Sequence, residues 1–250
     1  MMFFRNSDSE KKGKEVISYL YYFSENQMLD CNQYCIINKD TDEIALFDAG
    51  NGLSLPGLFK GMEKQGLEYT NITKVFLTHE HVDHVIGIYP LLEALKDSPP
   101  EIYAYGETTK ILIDGDESRI LPTELGITSK MFGINIVPIK VIDLLKLHEV
   151  QIGSDFSFEI YYTPGHSLGS ISYYDAKNKI LIPGDLVFIG GSFGRYDFPG
   201  GSLTELQNSI KNVSKLDVKY LLPGHMGISN DGNRQIQFSL KMALKSNDYV

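Results

Sequence analysis

Four segments of the chain share one pattern, in which a short apolar run is followed at once by histidine or aspartate. The densest segment is 74–84, where the apolar residues 75–77 precede three histidines and an aspartate. The other three segments end a β-like run with a Pro-Gly turn and one histidine or aspartate, at 161–166, 180–185 and 220–225. Strand ends in a layered sheet can converge on one edge, where loops carry function. The pattern therefore predicts one site built from distant parts of the chain.

The distribution of histidine supports this interpretation. Five of the six histidines lie in the four segments, and only His148 lies elsewhere. A single histidine after a turn is more often an ordinary surface residue, and an aspartate after Pro-Gly is usually a helix cap. Histidines that merely contacted water would have no reason to gather in these turns. Imidazole and carboxylate together form sites for zinc, manganese or iron, so we predict a metal centre and interpret His148 as an exposed or structural residue.

Charge and hydropathy exclude several classes of protein. The net charge of −9 argues against a nucleic-acid partner, which needs a basic surface to replace counterions. No apolar stretch approaches the length of a membrane span, and the polar N-terminus lacks the apolar region of a signal peptide. We therefore expect no membrane partner and a cytoplasmic location. The sequence carries no signal for an oligomeric state.

The two cysteines are predicted to be free thiols. Cys31 and Cys35 lie in a segment that is typical of a strand. Four residues of extended chain at about 3.3 Å each would separate their Cα atoms by about 13 Å, which is beyond the reach of a disulfide. Partly buried thiols in a reducing compartment are the expectation.

Apolar periodicity and turn residues predict two runs of strands, each followed by helices. The predicted strands are 16–23, 33–38, 44–47, 74–77, 101–105, 134–142, 150–152, 156–162, 171–174, 179–182 and 218–222. The predicted helices are 54–65, 86–96, 107–113, 203–213 and 233–245. This order favours an α/β (α+β) protein in which two similar sheet-plus-helix halves pack sheet to sheet as one four-layer αββα sandwich.

Domain organisation follows from the same pattern. We predict one domain over residues 1–250, with 1–14 as a mobile arm because of its charge. The segment 114–133 is the least regular, and it is a candidate for a lid or for one wall of the site.

The ligand pattern resembles that of the metallo-β-lactamase fold superfamily, in which a His-x-His-x-Asp-His motif precedes a histidine, a bridging aspartate and a final histidine. The resemblance extends from about Val16 to His225. It implies an αββα sandwich with two divalent metal ions, zinc first and iron or manganese as alternatives. One metal would be bound by His79, His81 and His166, the second by Asp83, His84 and His225, and both by Asp185. Glu80 and Val82 are predicted to point away from the metals.

A second motif narrows the resemblance. The segment Gly194-Arg195-Tyr-Asp197 looks like the Gly-Arg-x-Asp segment of glyoxalase II-like hydrolases, the hydroxyacylglutathione hydrolases, and of persulfide dioxygenases. The resemblance implies hydrolysis of a small-molecule thioester or related ester by a metal-bridging hydroxide, with Asp83 and Asp185 as the catalytic carboxylates. Arg195 is a candidate for substrate binding, and an ion pair with Asp197 is the structural alternative. The segment 226–250 is too short for the helical C-terminal domain that binds glutathione in glyoxalase II.

The same residues are compatible with other functions. His79, His166 and Asp185 would also serve a mononuclear iron oxygenase acting on a persulfide. A lactonase or a phosphodiesterase is a further alternative, although the segment 186–224 leaves no room for the inserted domain of RNA-cleaving relatives. A class B lactamase is disfavoured because no cysteine lies near Asp185. A binding module without catalysis is the non-enzyme alternative.

Overall fold

The computed structural model describes residues 10–26, 29–121, 123 and 126–246. The chain divides into two compact units, residues 1–143 and 144–250. Residues 1–9 of the predicted mobile arm lie outside the described residues. Residues 11–14, which the prediction also assigned to the arm, are part of the folded structure, because Lys11 is fully buried and the first strand begins at Gly13. The single domain over 1–250 stays a prediction.

The first unit contains a seven-stranded sheet with the strands in chain order. Its strands are β1 (Gly13–Ile17), β2 (Leu20–Phe23), β3 (Gln33–Ile37), β4 (Ile44–Phe47), β5 (Ile72–Phe76), β6 (Glu101–Ala104) and β7 (Ile142–Asp143). β1 to β4 form an antiparallel meander, whereas β4 to β7 pair in parallel. The predicted strand 16–23 is a hairpin of two strands, because Tyr19 has a φ of 69° and turns the chain.

Helices connect the parallel strands of this unit. They are α1 (Leu55–Lys64), α2 (Val82–Val85), α3 (Ile88–Ala94), α4 (Gly106–Asp114) and α5 (Glu117–Ile120). α1 begins as predicted, with Ser54 at its N-cap and Pro56 in its first turn. The segment 114–133 contains α5 and a short 3₁₀ turn at Ser129–Phe132.

The predicted strand over 134–142 is wrong except at its end, where β7 lies. Pro138 lacks the backbone N–H that a central strand donates to its neighbour. The apolar residues Ile134, Ile136 and Ile139 pack, partly buried, against the core of the unit instead. The alternation of apolar residues in this segment therefore reflects packing against the core and not a strand in the sheet.

The second unit contains a five-stranded sheet with the strand order β12-β11-β10-β9-β8. Its strands are β8 (Glu149–Ile152), β9 (Phe156–Tyr162), β10 (Ile171–Asp175), β11 (Ile180–Ile182) and β12 (Tyr220–Leu221), and its helices are α6 (Leu203–Val213) and α7 (Gly232–Ala243). α6 begins at the predicted position, and the side chain of its N-cap, Ser202, accepts a hydrogen bond from the Glu205 backbone N–H. β10 and β11 lie at two of the predicted strands and pair as an antiparallel hairpin.

The cysteines are free, as predicted, and their burial is complete. Burial raises the pKa of both thiols above the ordinary range. Among the described residues, no helix combines the length and apolar character that crossing a membrane requires.

Candidate metal centre

The histidine cluster of the first unit lies on the loop between β5 and α2. β5 ends at Phe76, and His81 is the N-cap of α2 with an extended backbone. The carbonyl of His81 accepts hydrogen bonds from the backbone N–H groups of His84 and Val85. Asp83 and His84 therefore lie in the first turn of α2, while His79 and His81 lie on the loop before it. One short segment thus presents four candidate ligands, two from the loop and two from the first turn of the helix.

The donor groups of this segment lie close together in pairs. The ring centroid of His79 lies 4.8 Å from the ring centroid of His81 and 4.1 Å from that of His84. Donor atoms of His79 and His81, and likewise of Asp83 and His84, lie within 4.8 Å of each other. His79 and His84 are almost fully buried. Buried imidazoles at this spacing suit a cation between them, because imidazolium rings would repel one another.

A carboxylate that the sequence analysis missed orients the ring of His84, one of the candidate ligands. Asp48, buried at the end of β4, lies with its Oδ2 atom 2.8 Å from the Nδ1 atom of His84. The same carboxylate accepts hydrogen bonds from the backbone N–H of Thr78 at 2.8 Å and from the Thr78 hydroxyl at 2.9 Å. Because a carboxylate only accepts, Nδ1 of His84 carries the proton and Nε2 is left as the lone-pair donor.

The tautomer of His79 follows from the same bonds. The Nδ1 atom of His79 lies 3.0 Å from the hydroxyl oxygen of Thr78. This hydroxyl has one hydrogen, which it donates to Asp48, so it accepts from the imidazole. Nε2 of His79 is thereby also left with its lone pair, which is the state that a metal ligand needs.

The turn that carries Asp48 is held against the ligand loop by main-chain bonds. The Ala49 N–H donates to the His84 carbonyl at 2.8 Å, and the Gly87 N–H donates to the Gly50 carbonyl at 2.9 Å. A Cβ atom at Gly87 would lie 1.9 Å from the Ala49 carbonyl oxygen, so only glycine permits this approach. Asp48 itself has a φ of 58°, a left-handed conformation that aspartate tolerates better than most residues.

In the second unit, sheet topology explains why three distant residues meet. β12 pairs parallel with β11, and both β11 and β9 pair antiparallel with β10. β9, β11 and β12 therefore run in one direction, and their carboxyl ends share one edge of the sheet. The two Pro-Gly turns after β11 and β12 lie side by side, since the Gly224 N–H donates to the Gly184 carbonyl at 2.9 Å.

This edge brings together three of the predicted ligands, one from each turn. The Oδ2 atom of Asp185 lies 3.6 Å from Nε2 of His166 and 3.2 Å from Nε2 of His225. Two atoms bound to one zinc at about 2.0–2.1 Å in tetrahedral geometry are about 3.3 Å apart. Each of the two distances therefore fits a pair of ligands on one metal.

A main-chain carbonyl orients His166. Its Nδ1 atom lies 2.7 Å from the Arg195 carbonyl oxygen, which can only accept, so Nδ1 carries the proton and Nε2 faces Asp185. Gly194 makes this contact geometrically feasible, because a Cβ atom there would lie 1.9 Å from the Asp185 carbonyl oxygen and 3.0 Å from Nδ1 of His166. The Gly-Arg segment thus contributes to the site through its backbone.

The side chain of Arg195 has other partners. Its guanidinium donates two hydrogen bonds to Asp197, at 2.9 and 2.7 Å, and lies 4.2 Å from the ring centroid of Phe198. The pair is largely exposed, and the hydrogen bond from Arg195 lowers the pKa of Asp197. The structural ion pair considered in the sequence analysis is therefore present. A substrate role for Arg195 stays a prediction.

The remaining residues of interest have contacts of other kinds. Glu80 accepts a hydrogen bond from the Thr108 hydroxyl at 2.9 Å, and Val82 belongs to the apolar core of the first unit. That these two side chains point away from the metals stays a prediction. His148 is exposed, as predicted.

Sequence comparison gives an independent view of the chain. A family model described as "Metallo-beta-lactamase superfamily" matches residues 28–225. The probable metallo-hydrolase MJ0888 of Methanocaldococcus jannaschii is 33% identical over 198 residues, which cover 78% of this chain and 86% of that protein. The hydroxyacylglutathione hydrolase GloC of Haemophilus influenzae is 30% identical over 178 residues, which cover 70% of this chain and 76% of that protein.

Solved structures agree on the fold. The BLEG-1 B3 metallo-beta-lactamase superposes with a TM-score of 0.65 at 26% identity, covering 86% of this chain and 95% of that one. TTHA1623, described in a di-iron-bound form, superposes with a TM-score of 0.65 at 25% identity, covering 90% of this chain and 98% of that one. The predicted metallo-β-lactamase-like α/β fold is confirmed.

Proposed function

The chain belongs to the metallo-β-lactamase superfamily of metal-dependent hydrolases, and we propose that it hydrolyses a thioester or a related ester of a small molecule. The donor chemistry of both units supports divalent-metal binding, because imidazole and carboxylate are good ligands for zinc and iron. The proposed ligand set combines the two units. It consists of His79, His81 and His166 for one metal, Asp83, His84 and His225 for the other, and Asp185 for both.

The observation that carries the proposed metal binding, and with it the proposed hydrolysis, is the fixed tautomer of three histidines. The Nδ1 atoms of His79, His84 and His166 each face an oxygen that accepts their proton. Metal-bound histidines are oriented by such partners, whereas surface histidines have no need of them. All three rings are therefore prepared to offer Nε2 to a metal.

The chemistry follows from this arrangement. Bound divalent metal would supply Lewis-acid polarisation of the scissile carbonyl and a water that is acidic enough to ionise near neutral pH. In hydrolysis of a thioester, a C–O bond forms, the C–S bond breaks, and the products are a carboxylate and a thiol. The half-buried Asp83 would accept a proton from the attacking water and orient it. Asp185, which lies next to both His166 and His225, would bind metal together with them.

The substrate class rests on two further features. Similarity to a protein named hydroxyacylglutathione hydrolase favours thioesters. The exposed guanidinium of Arg195, although paired with Asp197, would offer a positive group to an anionic acyl or thiol portion in a chain of net charge −9.

The test is a substrate panel assayed with protein that has been stripped of metal and then reloaded. The panel contains acylglutathione and acyl-coenzyme A thioesters, lactones, phosphodiesters, a β-lactam and a persulfide. We expect thioester turnover that is lost with the metal and restored by zinc. No thioester turnover by metal-loaded protein, together with turnover of another class, would contradict the proposed substrate.

Iron is the alternative metal, because the similar structure TTHA1623 is described as di-iron-bound. Iron-dependent oxygen uptake with a persulfide would favour the oxygenase reaction instead. Oxygen consumption measured beside the thioester assay separates the two reactions.

A further inference from the structure

A buried lysine lies in the first unit and is not one of the candidate ligands. Lys11 has no exposed side-chain surface, and its Nζ atom lies 2.8 Å from Oδ2 of Asp30, whose side chain is equally buried. Nζ also donates to the Cys31 carbonyl at 2.9 Å and to Oε1 of Gln33 at 2.7 Å. The three protons of the ammonium group therefore have three acceptors.

These contacts continue into the turn that carries Asp48. The amide of Gln33 accepts from Lys11 through Oε1 and donates through Nε2 to the Asp48 carbonyl at 3.2 Å. Asp30 accepts from the Ser54 hydroxyl at 2.7 Å, where the turn ends and α1 begins. A Cβ atom at Gly50 would lie 2.9 Å from Oδ1 of Asp30, so the turn rests directly on this group. We call Lys11, Asp30, Gln33 and Ser54 the polar cradle.

Stability alone does not account for the cradle. Removing two charges from water is costly, and well-packed apolar residues in the place of a buried ion pair are often as stabilising or more so. A hydrogen-bonded pair differs from apolar packing in that it fixes geometry, because its bonds are directional. The turn it contacts needs such fixing, since Asp48 has a φ of 58° and Gly50 a φ of 72°.

We propose that the polar cradle is a positioning device that holds the Asp48 turn in register and thereby orients the ring of His84. Lys11 and Asp30 fix Gln33, and Gln33 fixes the Asp48 carbonyl. The Asp48 carboxylate in turn receives the Nδ1 proton of His84. Lys11 and Gln33 are positioning residues that act through Asp48. The effect on metal binding rests on the proposed function, in which His84 is a ligand, whereas the effect on the ring of His84 does not.

The test uses three variants of the full chain. Gln33→Glu keeps an acceptor for Lys11 but cannot donate to the Asp48 carbonyl, so it breaks the link while the buried pair stays. Lys11→Met removes the ammonium group with little change in volume. Lys12→Met is the control, because Lys12 is the exposed neighbour of Lys11.

Two readouts are measured. The first is the imidazole N–H resonance of His84 in metal-free, ¹⁵N-histidine-labelled protein, assigned by its loss in His84→Gln. The second is the affinity for Co²⁺, measured by competition with a chelator. We expect Gln33→Glu to broaden or abolish the N–H signal and to weaken Co²⁺ binding by about 10-fold, the lower end of the effect of groups that orient ligands. Lys12→Met is expected to match the wild-type protein in both readouts.

A folded Gln33→Glu protein with an unchanged His84 signal and unchanged Co²⁺ affinity would overturn the proposal. The same holds if Lys11→Met lowers the melting temperature alone and leaves the His84 signal intact. If Lys11→Met does not fold, Gln33→Glu decides the matter. Wild-type protein that fails to bind Co²⁺ would count against the proposed function, and the N–H signal would still decide the role of the cradle.

Discussion

The two units present their candidate ligands in different ways. In the first unit, four ligands lie within six consecutive positions, 79–84, and a buried carboxylate orients one of them. In the second unit, the ligands come from three separate turns, and a main-chain carbonyl orients His166. The first arrangement depends on local backbone and one side chain, whereas the second depends on sheet topology.

This difference decides which substitutions can damage each half. The orienting bond of His84 ends on a side chain, so a single substitution of Asp48 removes it. The orienting bond of His166 ends on a carbonyl, so removal of the Arg195 side chain leaves it in place. In the second unit, the vulnerable position is instead Gly194, where any side chain would collide with the Asp185 backbone.

The largest effect is expected for Asp185→Asn. Asp185 contacts both histidine donors of the second unit, and asparagine offers those positions a neutral amide. We expect metal content and kcat to fall together, with kcat reduced by more than about 100-fold, beyond the usual effect of an outer-shell residue. Metal analysis and steady-state kinetics on the same preparation measure both. Asp217→Asn is the control, since Asp217 is an exposed carboxylate of the same unit. Full activity in a metal-depleted Asp185→Asn protein would refute the metal mechanism.

The next largest effect is expected for Asp48→Asn. The amide can no longer accept from Thr78 and His84 with two charged oxygens, so His84 loses its fixed tautomer. We expect metal affinity to fall about 10–100-fold while the fold is kept. Asp42→Asn is a matched control, because Asp42 also has a left-handed backbone but is exposed. Equal metal affinity in the two variants, measured by chelator competition, would show that Asp48 does not orient the site.

A smaller effect separates the backbone of the Gly-Arg segment from its side chain. Gly194→Ala should lower stability by about 1–3 kcal/mol through overpacking and reduce metal content by displacing His166. Arg195→Ala should leave metal content unchanged and raise KM if the guanidinium binds substrate. Urea unfolding, metal analysis and kinetics measure these quantities. A loss of metal in Arg195→Ala would contradict orientation of His166 by the carbonyl alone.

The smallest effect concerns pH. Arg195 lowers the pKa of Asp197 in the folded protein, so the pair stabilises the fold above the ordinary aspartate pKa of about 3.9. This contribution is lost as the pH falls through the lowered pKa. Because both side chains are more than half exposed, we expect less than about 0.5 kcal/mol. The unfolding midpoints of wild-type and Asp197→Asn proteins should differ more at pH 6 than at pH 3. An equal difference at both values would show that another group is responsible.

Candidate ligands could be identified from the sequence where they are contiguous or where they directly follow a recognisable strand and turn. The segment 79–84 could be identified because its ligands are contiguous, and the Pro-Gly turns marked Asp185 and His225 because each ends an apolar run. The start of α1 was predictable from Pro56 in its first turn, and the start of α6 from the Ser202 side chain that caps it.

The partners that orient the ligands could not be predicted in the same way. Asp48 also follows a buried strand, but it lies next to Thr78 and His84 only because β4 and β5 pair in parallel. The pairing of these two strands is part of the tertiary structure, and the local sequence does not predict it. The Arg195 carbonyl has no sequence signal at all, since every residue has a carbonyl. Lys11 appeared to belong to a charged, mobile arm, and only its burial beside Asp30 shows otherwise.

The most direct test of the account is the metal content of native protein purified without added metal, followed by the thioester assay on the same sample. We predict about two divalent ions per chain, as in other two-metal hydrolytic sites, with zinc as the main metal and turnover that disappears when the ions are removed. Protein that stays metal-free after loading, yet hydrolyses the thioester at an undiminished rate, would contradict it.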